Sequence, residues 1–339
     1  MAVRLYTFSG ITISVASDFE AHLHWLDEFF VPAFQTIERV PDWKVSLEIN
    51  TVLYDRWLAQ GGTGREIAAF AMDAGPMRLP LWADCGPDIL LHDQNYGVFL
   101  AIDGREILVL SGKNTRKLRT PLMRVVREIA MEAAQSNGGL LLHAAAFAIG
   151  NRAAIVTGPK NAGKTSLLTY ALTANGASYL TNDRLICEES SGGVRVRAMP
   201  TVISIRPGTL EMLPALWKET ERQRFRHHST MDECHQPDAP HARAWKDGRL
   251  GLTPAQFCVA SNCGSIADAT AAMLLFPRRT NQPDGLTLKG LDQKQTARRL
   301  VDCRFGQGGS AFRPGGIFAT GRVTGEKSGT GVLERLSAL

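Results

Sequence analysis

One short segment limits the folds open to this chain more than any other feature of its sequence. Residues 158–165 read GPKNAGKT, which fits the pattern G-x-x-x-x-G-K-T. An apolar run at residues 153–157 precedes this segment and predicts a buried strand, and a helical pattern begins at Ser166. The motif binds nucleotide phosphates when it joins a strand to a helix in this way. We therefore expect a nucleotide-binding protein.

The chemistry of phosphate binding assigns a role to each part of this segment. Its two glycines let the backbone curve tightly, so that amide N–H groups and the helix N-terminus form an anion site. Lys164 is expected to reach the β- and γ-phosphates, and Thr165 to offer its hydroxyl to Mg²⁺. The predicted nucleotide-binding residues are Gly158, Pro159, Lys160, Asn161, Ala162, Gly163, Lys164, Thr165 and Ser166.

Composition limits the class of protein and its partners. A chain of 339 residues suits one large domain or two ordinary ones, and 44% apolar residues are enough for a sizeable core. The net charge of +5 does not favour nucleic acid or a membrane as partner. The N-terminus lacks the apolar stretch of a signal peptide, so we expect a cytoplasmic protein with reduced cysteines. Cys258 and Cys263 are interpreted as buried rather than reactive thiols.

The first third of the chain predicts a β-rich α/β domain over residues 1–115. Alternating apolar residues indicate a hairpin at 3–15, a strand at 43–54 and a second hairpin at 97–110. A helical pattern follows Asp18, which is a candidate for its N-cap. No catalytic cluster is evident in this part of the sequence.

Residues 116–305 predict a second domain, which contains the G-x-x-x-x-G-K-T segment. A helix is expected at 120–135 and an apolar strand at 140–149, and only Gly150 and Asn151 separate this strand from the next. So short a turn makes the two strands antiparallel neighbours, which favours a largely antiparallel or mixed sheet over a parallel one. The polar residues 218–249 are predicted to form a long mobile loop. The Gly- and Ser-rich residues 306–339 are predicted to form an irregular tail.

Two side chains are candidates for chemistry beside the phosphates. Asp183 follows the short strand after the phosphate-loop helix, where an acidic residue would hold a metal ion or accept a proton. Alternatively, Asp183 only opens the turn of a hairpin. His143 lies in the strand next to the one that leads into the loop, so it is either a catalytic residue or a histidine of the core.

Three segments together resemble a known enzyme family. They are LHAAA (142–146), GPKNAGKTS (158–166) and YLTNDR (179–184), and they resemble the catalytic core of HPr kinase/phosphorylase. The sequence is more similar still to the HPr-kinase-related kinases found beside peptide-modification genes. The resemblance covers about residues 120–215. It implies a P-loop core like that of phosphoenolpyruvate carboxykinase, transfer of phosphate from ATP to a serine of a peptide or protein with Mg²⁺, and a homo-oligomer.

The resemblance also assigns roles to individual residues. Lys164 and Thr165 take the phosphate and metal roles, and His143 matches a family histidine that approaches the transferred phosphate. Asp183 and Arg184 match the second half of an Asp-Asp-Arg segment, whose first aspartate is Asn182 here. Because an amide is no general base, either Asp183 serves as base or metal ligand, or the acceptor is activated differently. Asn182 and Arg184 are then expected to contact the acceptor or a phosphate.

A further family segment, Glu-Ile-Arg-Gly, is matched only in part. The nearest segment reads Ile205-Arg206-Pro207-Gly208 and lacks the glutamate. Arg206 is therefore a candidate contact to phosphate or acceptor.

The long loop and two other functions complete the set of hypotheses. The loop holds a group of possible Zn²⁺ ligands, namely His227, His228, Cys234, His235 and His241, whose spacing fits no standard zinc pattern. It also holds Arg222, Arg224 and Arg226, which suit either an acidic peptide or plain solvent exposure. The alternatives to a serine kinase are a kinase of small-molecule hydroxyl groups and a nucleotide-hydrolysing switch or assembly factor.

Overall fold

The computed structural model describes residues 1–72, 75–82, 86–206, 209, 250–278, 287–304, 317–318 and 329–339. These residues form a mixed α/β protein, as expected. Contacts divide the chain into two compact units, of which the first comprises Met1–Asp27, Phe34–Asn137 and Gly306–Gly325. The second comprises Glu28–Ala33, Gly138–Phe305 and Glu326–Leu339. This division differs from the predicted boundary at residue 116, because the helix over Arg119–Ser136 groups with the first unit.

The first unit is built on a mixed sheet of eight strands in the order β1-β2-β3-β8-β7-β6-β5-β4. The strands are β1 (Ala2–Phe8), β2 (Ile11–Ser17), β3 (Trp43–Ile49), β4 (Gly62–Met72), β5 (Gly75–Trp82), β6 (Ile89–Asp93), β7 (Val98–Asp103) and β8 (Glu106–Ser111). Strand β3 runs parallel to both of its neighbours, β2 and β8. The antiparallel pairs β1–β2 and β7–β8 confirm the two predicted hairpins.

Helices α1 (Glu20–Phe30), α2 (Thr51–Gln60) and α3 (Arg119–Ser136) lie in this part of the chain, with a 3₁₀ turn at Arg116–Leu118. The prediction of α3 is confirmed. The predicted strand at 43–54 is wrong beyond Ile49, because Asn50 starts α2: its side-chain oxygen accepts a hydrogen bond from the Leu53 amide at 3.0 Å. Trp57 of α2 packs into a buried cluster with Trp82 and Phe99.

The second unit contains a mixed six-stranded sheet. Its strands are β9 (Leu140–Ile149), β10 (Arg152–Thr157), β11 (Ser178–Thr181), β12 (Arg184–Ser190), β13 (Gly193–Met199) and β16 (Asp268–Leu275). Strand β9 pairs antiparallel with β10, with Ile149 opposite Arg152 and Ala144 opposite Thr157, which confirms the pairing expected from the two-residue turn. The other neighbour of β10 is β16, which runs parallel to it.

Strand β9 connects most of this sheet. Its first four residues pair with β12, and its later residues pair with β10 and β11. The sequence of paired strands β10-β16-β13-β12-β9 therefore returns to β10. A separate two-stranded ribbon joins β14 (Ile203–Ile205) to β15 (Leu250–Leu252).

Four helices are described in the second unit: α4 (Lys164–Asn175), α5 (Pro254–Ser261), α6 (Gln293–Asp302) and α7 (Thr330–Ser337). Leu168 and Leu172 of α4 pack with Tyr179 and Phe257 in a buried core beside the ribbon. The prediction of an irregular tail is wrong at its end, because α7 buries Val332 and Leu336 on one face. No helix among the described residues is long and apolar enough to span a bilayer.

Candidate functional site

The glycine-rich loop, residues 158–165, joins β10 to α4 in the predicted order. Its backbone is left-handed at three places, with φ of 146° at Gly158, 71° at Asn161 and 103° at Gly163. Glycine adopts such angles without steric cost, and asparagine tolerates them better than most residues. The two glycines of the motif thus permit the tight curve of the loop.

Lys164, the first residue of α4, directs its ammonium group into the loop. Its Nζ atom donates hydrogen bonds to the carbonyl oxygens of Gly158 at 2.8 Å and Pro159 at 3.2 Å. The residue retains only 8% of its exposure. A positive charge is therefore held at the start of the curve, beside the backbone that the motif supplies for anion binding.

His143 and Asp183 meet beside the end of β10. The Nε2 atom of His143 lies 3.1 Å from Oδ1 of Asp183. The backbone fixes both residues: the Ala144 amide donates to the Asp183 carbonyl at 3.0 Å, and the Thr157 hydroxyl donates to the His143 carbonyl at 2.9 Å. Since Thr157 immediately precedes the glycine-rich loop, the pair lies at the same end of the sheet as the loop.

The charges around Asp183 favour its ionised form. Burial opposes ionisation of this carboxyl, but the hydrogen bond with His143 and the charges of His143, Arg184 and Lys164 outweigh it, so the pKa of Asp183 is lowered. The Nε atom of Arg184 lies 3.8 Å from Oδ2 of Asp183. The Asp183 side chain keeps 33% of its exposure. Asp183 is therefore a carboxylate at neutral pH that a substrate can reach.

Asn182, next to Asp183, turns its side chain into the protein. Its Oδ1 atom accepts hydrogen bonds from the Tyr179 hydroxyl at 3.0 Å and the Thr201 hydroxyl at 3.1 Å, and Nδ2 donates to the Val202 carbonyl at 3.4 Å. The residue is 6% exposed. This geometry does not support the predicted contact of Asn182 with an acceptor or phosphate, because its amide is occupied inside the core.

The two predicted arginine contacts differ in their surroundings. Arg184 is 4% exposed and begins β12 opposite His143, so its charge acts on Asp183 from within the protein. Arg206 is exposed and follows β14. Its carbonyl accepts the Thr209 amide at 3.0 Å, and the Thr209 hydroxyl lies 2.9 Å from that of Ser166 in α4. The chain at Arg206 is thus close to the helix that follows the loop, and its contact with a ligand remains a prediction.

Two residues of the site were not among the candidates from the sequence. The Thr157 hydroxyl donates to the His143 carbonyl. The His143 amide donates to the Cys303 carbonyl at 2.8 Å. Burial is the largest of the effects that raise the pKa of the Cys303 thiol. The position of Thr157 at the end of the strand, directly before the glycine-rich loop, could have indicated that it belongs to the site. Nothing in the sequence around Cys303 indicates that it returns to β9.

The histidine- and arginine-rich loop at 218–249 lies outside the described residues, and so do its possible zinc ligands and its three arginines. Among the residues that the structure does describe, no group of three or more His, Cys, Asp and Glu side chains is placed to hold a metal ion.

Comparison of the sequence with family models and with curated proteins finds no significant match.

Proposed function

We propose that this chain is an ATP- and Mg²⁺-dependent kinase with a P-loop core of the HPr kinase type. It transfers the γ-phosphoryl group of ATP to a hydroxyl group, in the first place that of a serine in a peptide or protein. The observation that carries the proposal is the contact of His143 with an ionised, partly exposed Asp183 at the same end of the sheet as the glycine-rich loop. The antiparallel pairing of β9 with β10 agrees with the family resemblance.

In this proposal the glycine-rich loop binds the phosphates of ATP. The Lys164 ammonium is the cation that pairs with them, since a group now bonded to two carbonyl oxygens can turn to a stronger acceptor. Thr165 and Asp183 would hold Mg²⁺, which prefers such hydroxyl and carboxylate oxygens. When bound, this ion neutralises charge on the phosphates.

Where Asp183 does not hold Mg²⁺, it instead accepts the proton of the acceptor hydroxyl. A carboxylate whose pKa is lowered is a weak base, which suits a transfer in which the hydroxyl loses its proton late. With its proton on Nε2, His143 donates to Oδ1 of Asp183 and orients the carboxylate. Catalysis then rests mainly on positioning and on compensation of charge.

The test is to follow the label of γ-labelled ATP in the presence of Mg²⁺ and a library of serine-containing peptides. We expect the full chain to yield labelled phosphoserine, and the Asp183→Asn variant to yield far less. Release of the label only as free phosphate would contradict the proposal and favour a nucleotide-hydrolysing switch. Label found only on small hydroxyl compounds in a parallel assay would favour the small-molecule kinase instead. A cytoplasmic location and a homo-oligomeric state remain predictions.

A further inference from the structure

The end of helix α5 brings two cysteines together. Asn262 adopts the left-handed conformation, with φ of 52°. The Cys263 amide then donates to the Cys258 carbonyl at 3.0 Å, and the Asn262 amide donates to the Val259 carbonyl at 3.2 Å. These two bonds define a Schellman motif, in which the side chains at the positions of Cys258 and Cys263 characteristically touch.

The contact in this motif is usually between two apolar side chains, but here it joins two thiols. The thiols of Cys258 and Cys263 interact closely, and each shifts the pKa of the other. Their sulfur atoms are therefore already neighbours, and the helix end fixes the backbones of both residues. A disulfide needs two cysteines with nearby Cβ atoms, and this arrangement supplies them without movement of a distant segment.

The two thiols differ in access and in acidity. Cys258 is 6% exposed, which confirms the expected buried thiol, whereas Cys263 is partly exposed, so that expectation is wrong for Cys263. The interaction with Cys258 lowers the pKa of the Cys263 thiol against the effect of its burial, and the backbone of Tyr179 lowers it further. The same interaction and burial raise the pKa of Cys258. Cys263 is thus the better nucleophile, because the thiolate is the reactive form.

We propose that Cys258 and Cys263 form a thiol-oxidation site that reacts with hydroperoxides and closes to an intramolecular disulfide. The Cys263 thiolate attacks one peroxide oxygen, so an S–O bond forms, the O–O bond breaks, and the leaving oxygen departs as water or an alcohol after taking a proton. The Cys258 thiol then attacks the sulfenic sulfur of Cys263. An S–S bond forms and water leaves, so two thiols are oxidised and one hydroperoxide is reduced.

The pair borders the strand that leads to the candidate site. The Tyr179 amide donates to the Gly264 carbonyl at 2.8 Å, next to Cys263, and the Tyr179 hydroxyl donates to Asn182. The Tyr179 ring also meets that of Phe257, which precedes Cys258, with 5.5 Å between ring centroids. The inference does not depend on the proposed kinase function, because it rests on the helix end and on the two thiols that meet there.

Other cysteines of the chain provide matched controls. Cys187 is fully buried in β12, and burial raises the pKa of its thiol. Cys303 is 6% exposed, and its thiol pKa is likewise raised. Neither thiol has the combination of access and lowered pKa found at Cys263, so both are expected to stay reduced under mild oxidation.

The experiment treats the full chain with a small excess of hydrogen peroxide, removes the peroxide, blocks the remaining thiols and digests the protein without reduction. Mass spectrometry should find a disulfide between Cys258 and Cys263, with the loss of two hydrogens, while Cys303 is blocked as a free thiol. In Cys258→Ala, Cys263 should stop at a sulfenic acid that dimedone traps. A Cys303→Ser control should form the disulfide as the wild type does.

Two results would overturn the inference. One is a wild-type chain in which Cys263 remains a free thiol after peroxide treatment. The other is a Cys263 that is oxidised but pairs with a cysteine other than Cys258, or passes to the sulfinic acid without pairing. Because the wild-type chain decides both results, they do not depend on the folding of any variant.

Discussion

His143 contacts Asp183, the residue before Arg184, which itself lies opposite His143 in the antiparallel pair of β9 and β12. This register places the residue before Arg184 at the side of the histidine, where its carbonyl also accepts the Ala144 amide. Because Asp183 lies between β11 and β12, its side chain is not held to the alternation of faces along a strand. The chemistry of its contact with His143 can be tested by conservative substitutions.

Asp183→Asn should lower the turnover of phosphoryl transfer by at least about 10²-fold, the usual scale of general acid–base catalysis. His143→Gln keeps a donor near Asp183 and should lose less, because the carboxylate itself remains. Steady-state kinetics with γ-labelled ATP would measure both, and circular dichroism would check folding. An Asp183→Asn variant within about twofold of the wild type would exclude the carboxylate as the base.

Mild acidification should not slow phosphoryl transfer through protonation of Asp183. The pKa of Asp183 lies below its ordinary value of 3.8, so the carboxylate stays ionised down to that pH. Because the pKa of Asp183 is lower in the folded than in the unfolded state, its ionised form stabilises the fold above pH 3.8. This stabilisation is lost as the pH falls through the lowered pKa. A profile of kcat/KM against pH, limited to the range where the protein is folded, measures this. The prediction would be contradicted if kcat/KM of the wild type fell near pH 6 and this fall were absent from Asp183→Asn.

Asn182→Asp should destabilise the protein. The Val202 carbonyl can only accept a hydrogen bond, so the atom that faces it at 3.4 Å must be the amide nitrogen. Aspartate places an acceptor there, in a position that is 6% exposed, at a cost of about 1–3 kcal/mol. Urea unfolding measures the change, with Thr201→Val as a control that removes one donor to Oδ1. Equal or greater stability for Asn182→Asp would contradict the assigned hydrogen bonds.

Glu132 in α3 should make the first unit less stable as the pH rises. Burial raises its pKa from 4.5 to about 7, Ser136 opposes this by a hydrogen bond, and the charge of Glu128 adds to it. Between these values the folded state holds a proton that the unfolded state has lost, so the free energy of unfolding falls with increasing pH. This rise of the pKa from 4.5 to about 7 corresponds to a loss of about 3 kcal/mol in the free energy of unfolding across that pH range.

Glu132→Gln should remove this dependence and raise stability at pH 8, because the amide is neutral at every pH. Urea unfolding at pH 5 and pH 8 compares the two proteins, and the exposed Glu106→Gln serves as the control. If the free energy of unfolding changed equally between pH 5 and pH 8 in Glu132→Gln and the wild type, Glu132 would not be the group that titrates.

The sequence predicted those parts of the fold that depend on neighbouring residues. The two-residue turn at Gly150 and Asn151 admits only an antiparallel pair, and the structure has that pair. The strand, loop and helix around residues 158–165 follow from the two glycines and the apolar runs on either side. These elements needed no knowledge of distant contacts.

What the sequence did not predict depends on contacts between distant segments or on caps. Asn182 was expected to contact a ligand because it stands at the first aspartate of the family's Asp-Asp-Arg segment, whereas in the structure Thr201 and Val202 hold its amide inside the protein. Tyr54 continued an alternating pattern, yet the Asn50 cap placed it in a helix. Helix α7 was hidden by the glycines and serines before it, although Val332 and Leu336 repeat at helical spacing.

Titration of Mg²⁺–ATP into the wild type and into Lys164→Met tests whether the glycine-rich loop and its lysine bind the phosphates of ATP. Methionine keeps much of the length of the side chain but removes the charge, and Lys113→Ala removes an exposed lysine of the first unit as a control. We predict that the wild type and Lys113→Ala bind ATP with the same affinity, and that Lys164→Met loses at least about tenfold, the scale of one charge-assisted contact. Equal affinity of Lys164→Met and wild type, or no binding by the wild type, would contradict the claim that this loop holds the phosphates of ATP.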